Sequence, residues 1–105
     1  MTEFAGEIYA RFIRSFPAPK KDDLRIYWTP QIPGEPFHWP VADLAQAGMM
    51  LDALAAYDDF QFANRIKGDY ANMGGLEVFD GAEWFEWESD ECDDFDAWRA
   101  LETQS

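Results

Sequence analysis

The stretch LEVFDGAEWFEW, residues 76–87, decides the fold. On both sides of Asp80-Gly81, apolar and charged side chains alternate with the period of two that marks strands with one buried face. Asp-Gly as the centre of a two-residue turn is a strong hairpin signal, because the turn's backbone twist matches that of paired strands. Such a turn sets Val78 across from Glu83 and Leu76 across from Phe85. Leu76, Val78, Phe85 and Trp87 then share a core face, while Glu77, Phe79, Trp84, Glu86 and Glu88 share the other. A one-residue slip of alignment would carry carboxylates into the core, so the pattern itself opposes it.

Upstream, DLAQAGMMLDALAAY (43–57) has helical spacing, with Leu44, Ala47, Leu51, Leu54 and Ala55 on one face. Asp43 can cap it and Gln46 can reach back; Gly48 suggests close packing on the sheet. Residues 58–75 are ambiguous: Phe60 and Phe62 alternate as in a strand, yet Tyr57, Phe60 and Asn64 suit a helix. We read helix to about Ile66, then a loop ending at Gly74-Gly75. Earlier still, LRIYW (24–28) and PFHW (36–39) are strands joined by the proline-rich loop TPQIPGE, and the prolines place at least one strand at an edge.

The termini add helices. Phe4, Ile8, Phe12 and Phe16 repeat every four residues, with Ala5, Tyr9 and Ile13 beside them, on a helix over 2–16 opened by Thr2 and stopped by Pro17 and Pro19. That stripe needs cover, either from this chain's own sheet, the preferred reading, or from a second chain, which would make a homodimer. DDFDAWRALETQ (93–104) forms a short helix with Phe95, Trp98 and Leu101 as its buried stripe. The fold expected is α+β in one domain, 1–105: an N-terminal helix, a sheet-and-helix core over 24–88, and an acidic C-terminal segment over 89–105. The sheet is small and antiparallel, about four strands in ββαββ-like order, with helices packed on one face.

The formal charge is −13, and residues 77–105 hold eleven acids against Arg99 alone. A field of that sign repels nucleic acid and anionic lipid, and steers basic partners inward. Aromatic residues are 17% of the chain, enough apolar surface to fold despite the charge. Cys92 is single, so no intrachain disulfide exists, and its acidic neighbours disfavour the thiolate. No secretory leader and no membrane span is expected.

Candidate chemistry is sparse. His38, the sole histidine, reads as a structural or exposed imidazole. One His and one Cys make no zinc set, DECDDFD lacks the glycine and alternation of a calcium loop, and no phosphate loop follows Gly74-Gly75. No catalytic residue, metal or cofactor is expected. The acidic aromatic surface is the candidate site: Glu77, Phe79, Asp80, Glu83, Trp84, Glu86, Glu88, Asp90, Glu91, Asp93 and Asp94. On a regular strand, Glu86 and Glu88 stand about 6.8 Å apart, of the order of phosphate spacing. Phe79 and Trp84 would anchor a partner, or lie beneath a terminal helix while the acids are merely solvated.

Across IYWTPQIPGEPFHWPV (26–41), the following helix, and DYANMGGLEVFDGAEWFEWESDE (69–91), the chain resembles a group of small acidic phage and prophage proteins, some labelled superinfection-exclusion proteins. The resemblance spans about residues 24–96 and implies a counter-defence or host-takeover role; the expected place, read from the lack of a leader or span, is the cytoplasm of the bacterial host. In size and charge the chain is also similar to phage inhibitors that mimic DNA, including anti-restriction and anti-CRISPR proteins. The function expected is a non-enzymatic inhibitor binding a basic host protein or nucleoprotein complex, without direct contact to nucleic acid or membrane. The alternative is an interaction module, or homo-oligomer, that uses the N-terminal helix while acidity serves solubility.

Overall fold

A computed structural model describes residues 6–30, 34–64, 72–92 and 94–103. The elements run α1 (Glu7–Ser15), β1 (Leu24–Thr29), β2 (Phe37–Val41), α2 (Leu44–Ala63), β3 (Met73–Phe79), β4 (Trp84–Glu86) and α3 (Phe95–Thr103). The four strands form one antiparallel sheet in the order β2-β1-β3-β4. Two hairpins flank α2, as the ββαββ order requires, and β1 joins them by pairing with β3.

Register assigns the faces. Ile26 lies opposite both Trp39 and Leu76, and Leu24 opposite both Val41 and Val78, so these residues point to one side. α2 and α3 cover that side, where Ile26, Leu76, Ala47, Leu51 and Phe95 are buried. Ile26 and Leu76 are fully buried, each contributing about 1.5–3 kcal/mol relative to exposure. α2 begins as its sequence dictates: Asp43 Oδ1 accepts the Gln46 amide at 2.8 Å, and Gln46 Oε1 accepts the Ala42 amide at 2.6 Å. It then continues unbroken to Ala63, which resolves Tyr57, Phe60 and Phe62 as helical.

Several expectations are corrected. The two-residue turn centres on Gly81-Ala82: the Asp80 amide donates to the Glu83 carbonyl at 3.0 Å, and Gly81 has φ 106°, a left-handed value that favours glycine. Asp80 instead flanks the turn, its Oδ1 accepting the amides of Ala82 at 2.7 Å and Glu83 at 2.8 Å. Val78 consequently pairs with Phe85 rather than Glu83. Shifting the turn by one residue shifts each pairing by two, so every side chain keeps its face, but Phe85 on the edge strand β4 is exposed rather than part of the core. Gly74 and Gly75 belong to β3, not to a loop. Gly48 packs on Arg99 of α3 rather than on the sheet. Leu101 is exposed although Phe95 is buried.

The N-terminal helix starts at Glu7, with Gly6 at φ 80° as its N-cap and no side-chain cap; Thr2, Phe4 and Ala5 lie outside the described residues. Its stripe is not buried on the sheet. Ile8, Phe12 and Ile13 are exposed, and contact is made along the edge of the sheet: Tyr9 against Phe37, Phe12 and Phe16 against Trp39. Tyr9 Oη accepts the His38 amide at 2.9 Å and lies 3.2 Å from the His38 carbonyl, its acceptor. One hydroxyl thereby satisfies the outward backbone pair of an edge strand.

Candidate functional site

The face of the sheet opposite α2 carries Arg25 and Tyr27 from β1, His38 from β2, Glu77 and Phe79 from β3, and Trp84 and Glu86 from β4. Their alternation with Leu24, Ile26, Leu76 and Phe85 follows from the strand period. Arg25 lies at the centre. Its Nε donates to Glu77 Oε1 at 2.7 Å, while its Cζ sits 4.3 Å from the centre of the Trp84 ring. Phe79 packs on that ring from 5.1 Å. His38 Nε2 lies 3.9 Å from the same Glu77 oxygen. Burial, then the charge of Arg25, holds the imidazole below its ordinary pKa, against the pull of Glu77.

A second pair lies beside the first. Tyr27 Oη donates to Glu86 Oε1 at 2.7 Å, and Glu86 faces Glu77 across the strands. Burial raises the Glu86 pKa, and Asp94, Glu77 and Asp96 raise it further, whereas the Tyr27 hydrogen bond lowers it. Burial and the Glu86 carboxylate push the Tyr27 phenol well above its usual range. The ring of Tyr27 lies across Gly75, where a Cβ would come within 2.5 Å of its hydroxyl.

The candidate acids thus divide by what they touch. Glu77 is half-buried and engaged by Arg25, Glu86 is hydrogen-bonded, and Asp80 closes the turn. Asp94 caps α3 through the Ala97 amide at 2.8 Å. Glu83, Glu88, Asp90 and Glu91 are exposed with no basic partner among the described residues. Asp90 and Glu91 form the tip of a turn in which Ser89 Oγ accepts the amides of Glu91 and Cys92 and the Ser89 amide donates to the Cys92 carbonyl. β4 ends at Glu86, so Glu88 follows the strand and is not spaced along it. Asp93 lies outside the described residues. Phe79 and Trp84 are half-buried, against each other and under Arg25.

Arg25, Tyr27 and His38 were not among the residues expected at this site. Alternation in LRIYW does place Arg25 and Tyr27 opposite the core residues, but only the β1–β3 pairing sets them beside Glu77 and Glu86. Among the described residues no group of three or more His, Cys, Asp or Glu could hold a metal ion, and no helix is long and apolar enough to cross a membrane.

A family model described as superinfection exclusion gene product 17 matches residues 23–104, from the approach to β1 through the end of α3. A superinfection exclusion protein of Salmonella phage P22 is 38% identical over 86 residues, which is 70% of this chain and 82% of that protein. No solved structure matches. With the sheet, α2 and α3 all inside the matched span, this chain belongs to the superinfection exclusion gene product 17 family.

Proposed function

We propose that this phage-type protein acts by binding rather than by catalysis, through the acidic rim at the end of the β3–β4 hairpin and the Ser89–Cys92 turn. The partner is a basic protein surface of the kind that grips nucleic acid, on a host defence complex. The observation that carries this reading is the separation just described: Glu83, Glu88, Asp90 and Glu91 are exposed with no ion-pair partner among the described residues, while the acids nearer the sheet centre are engaged within the fold. Glu77 consequently drops out as a direct contact, and Asp80, Glu86 and Asp94 serve the scaffold as well as the field. Phe79 and Trp84 contribute ring edges beside the rim. The long-range field of a −13 chain steers such a partner inward, and exclusion follows from occupying its nucleic-acid surface.

The variant Glu83→Gln/Glu88→Gln/Asp90→Asn/Glu91→Gln tests this. Capture from host lysate at low salt, with mass identification, should recover one basic partner with wild type and lose it with the variant, while circular dichroism stays unchanged. Losing four charge contacts at about 0.5–1 kcal/mol each weakens binding by roughly 30-fold or more. Affinity unchanged by the substitutions, or flat across a salt titration, would falsify the reading.

A second reading has its own support, since no residue of α1 is buried and Ile8, Phe12 and Ile13 remain exposed. In that reading the helix recruits a partner or a second copy. Phe12→Glu should then abolish association, and the charge variant should not.

A further inference from the structure

Where α1 crosses the edge of β2 it does not close onto the sheet, and a cavity of about 380 Å³ remains beneath it. The volume falls in the range of small-molecule sites, roughly 300–1,000 Å³. Its walls are the rings of Tyr9, Phe16, Trp39 and Trp84 together with Ile13 and Pro40, and its polar groups include Arg25 and His38. A mostly apolar chamber with few converging polar groups is the usual form of a ligand site.

The polar groups select the ligand's charge. Arg25 has five N–H donors, and Nε alone is spent on Glu77. Among the described residues no carboxylate meets its Nη groups, which are the paired donors suited to an anionic head. A cationic ligand fits poorly: Arg25 would repel it and already occupies the Trp84 ring. Asp23 also lines the space; the Lys20 amide, donating to its Oδ2 at 2.8 Å, orients the carboxylate without cancelling its charge, so an anionic head must sit on the Arg25 side, away from it. Glu77 is not among the lining residues.

We infer that this cavity binds a small amphipathic anion, a ring-sized apolar body bearing one carboxylate or sulfonate, with the head on Arg25 and His38 and the body among Tyr9, Trp39 and Trp84. The inference is independent of the acidic rim, and the two differ in the sign of their salt dependence. Rim binding to a basic partner weakens as salt is added. Anion binding to a chain of charge −13 is opposed by long-range repulsion, so screening leaves it flat or strengthens it.

Anilinonaphthalene sulfonate, titrated into the full chain, is a suitable probe because it joins a ring system to one sulfonate. One dye per chain should bind, with NMR shifts concentrated at Tyr9, Arg25, His38 and the Trp39 and Trp84 indoles. Ile13→Trp fills the cavity and should abolish binding. Arg25→Gln/Glu77→Gln, which replaces the ion pair by a neutral one so that no charge is left stranded, should weaken the sulfonate about tenfold or more, the value of one charged hydrogen bond. The uncharged dye N-phenylnaphthylamine should bind both proteins alike. Near-UV circular dichroism of each variant establishes that it is folded. More than one dye per chain, shifts elsewhere on the surface, or full affinity in Ile13→Trp would overturn the site. Full sulfonate affinity in the double variant would overturn the anionic assignment.

Discussion

Gly74 and Gly75 lie side by side in β3 and serve opposite faces of the sheet. A Cβ on Gly74 would stand 2.4 Å from Cε3 of Trp28, and one on Gly75 would stand 2.5 Å from the hydroxyl of Tyr27. Each missing side chain is the space into which a β1 ring folds. Their consequences differ because Trp28 is buried in the core, whereas Tyr27 is only partly covered and can swing outward. Gly74→Ala should therefore cost about 1–3 kcal/mol, the usual penalty of overpacking, read as a lower urea midpoint. Gly75→Ala should cost less but release Tyr27 from Glu86, seen as a fall in the phenol's titration midpoint by NMR. The Gly-Gly pair suggests a loop in sequence because the rings that fill it come from a strand some forty-six residues earlier.

Among the elements, α1 is held to β2 by a few side-chain contacts at the edge of the sheet. β2 is an edge strand that accommodates Pro40, and an exposed edge invites pairing with other chains. Tyr9 blocks that edge at His38, while Phe12 and Phe16 rest on Trp39. Tyr9→Phe keeps the ring contact with Phe37 and removes only the hydroxyl. It should cost about 1 kcal/mol, speed hydrogen exchange of the His38 amide, and shift Trp39 fluorescence as α1 loosens, with the sheet otherwise intact. Unchanged exchange at His38 would mean that the hydroxyl does not hold the edge. The β3–β4 hairpin shows the opposite relation, since its local chemistry is enough. Asp80 accepts two turn amides from the flanking position, and glycine supplies the left-handed backbone at the next.

For the whole molecule, two groups on the open face carry pH effects of opposite sign through the neutral and acid range. A third, Asp80 of the hairpin turn, is held below its ordinary carboxylate value by the Glu83 and Ala82 amides, so its contribution is lost as pH falls further. The folded state holds His38 below its ordinary 6.5 through burial and Arg25, with Glu77 opposing, so it binds fewer protons there than the unfolded chain. The stabilisation is complete above about pH 6.5 and is lost as pH falls toward the folded value. Glu86 is held above its ordinary 4.5, so its neutral form favours the fold. Its contribution is present below that value and lost as pH rises through the raised one. Thermal melts at stepped pH should show stability declining just below neutrality, partly recovering as Glu86 takes up its proton, and falling again at lower pH as Asp80 does. His38→Gln should remove the decline and Glu86→Gln the recovery. A wild-type profile identical to both variants would show that neither group titrates differently on folding.

The sequence by itself determined the elements whose signals are local: the face alternation of residues 76–87, the Asp43–Gln46 cap of α2, the α+β class, and the concentration of charge after residue 77. Periodicity and capping act within a few residues, so they can be read without the fold. Even the misplaced turn preserved the faces, because pairings moved in steps of two. Tertiary structure alone decided which acids are free, because Arg25 reaches Glu77 only through the pairing of β1 with β3, across 52 residues of chain. It also decided that α1 lies against an edge rather than a face, leaving a cavity that no spacing in residues 7–15 foretells. An amphipathic stripe specifies that apolar cover is needed, and only the placement of distant strands specifies how much of it is available.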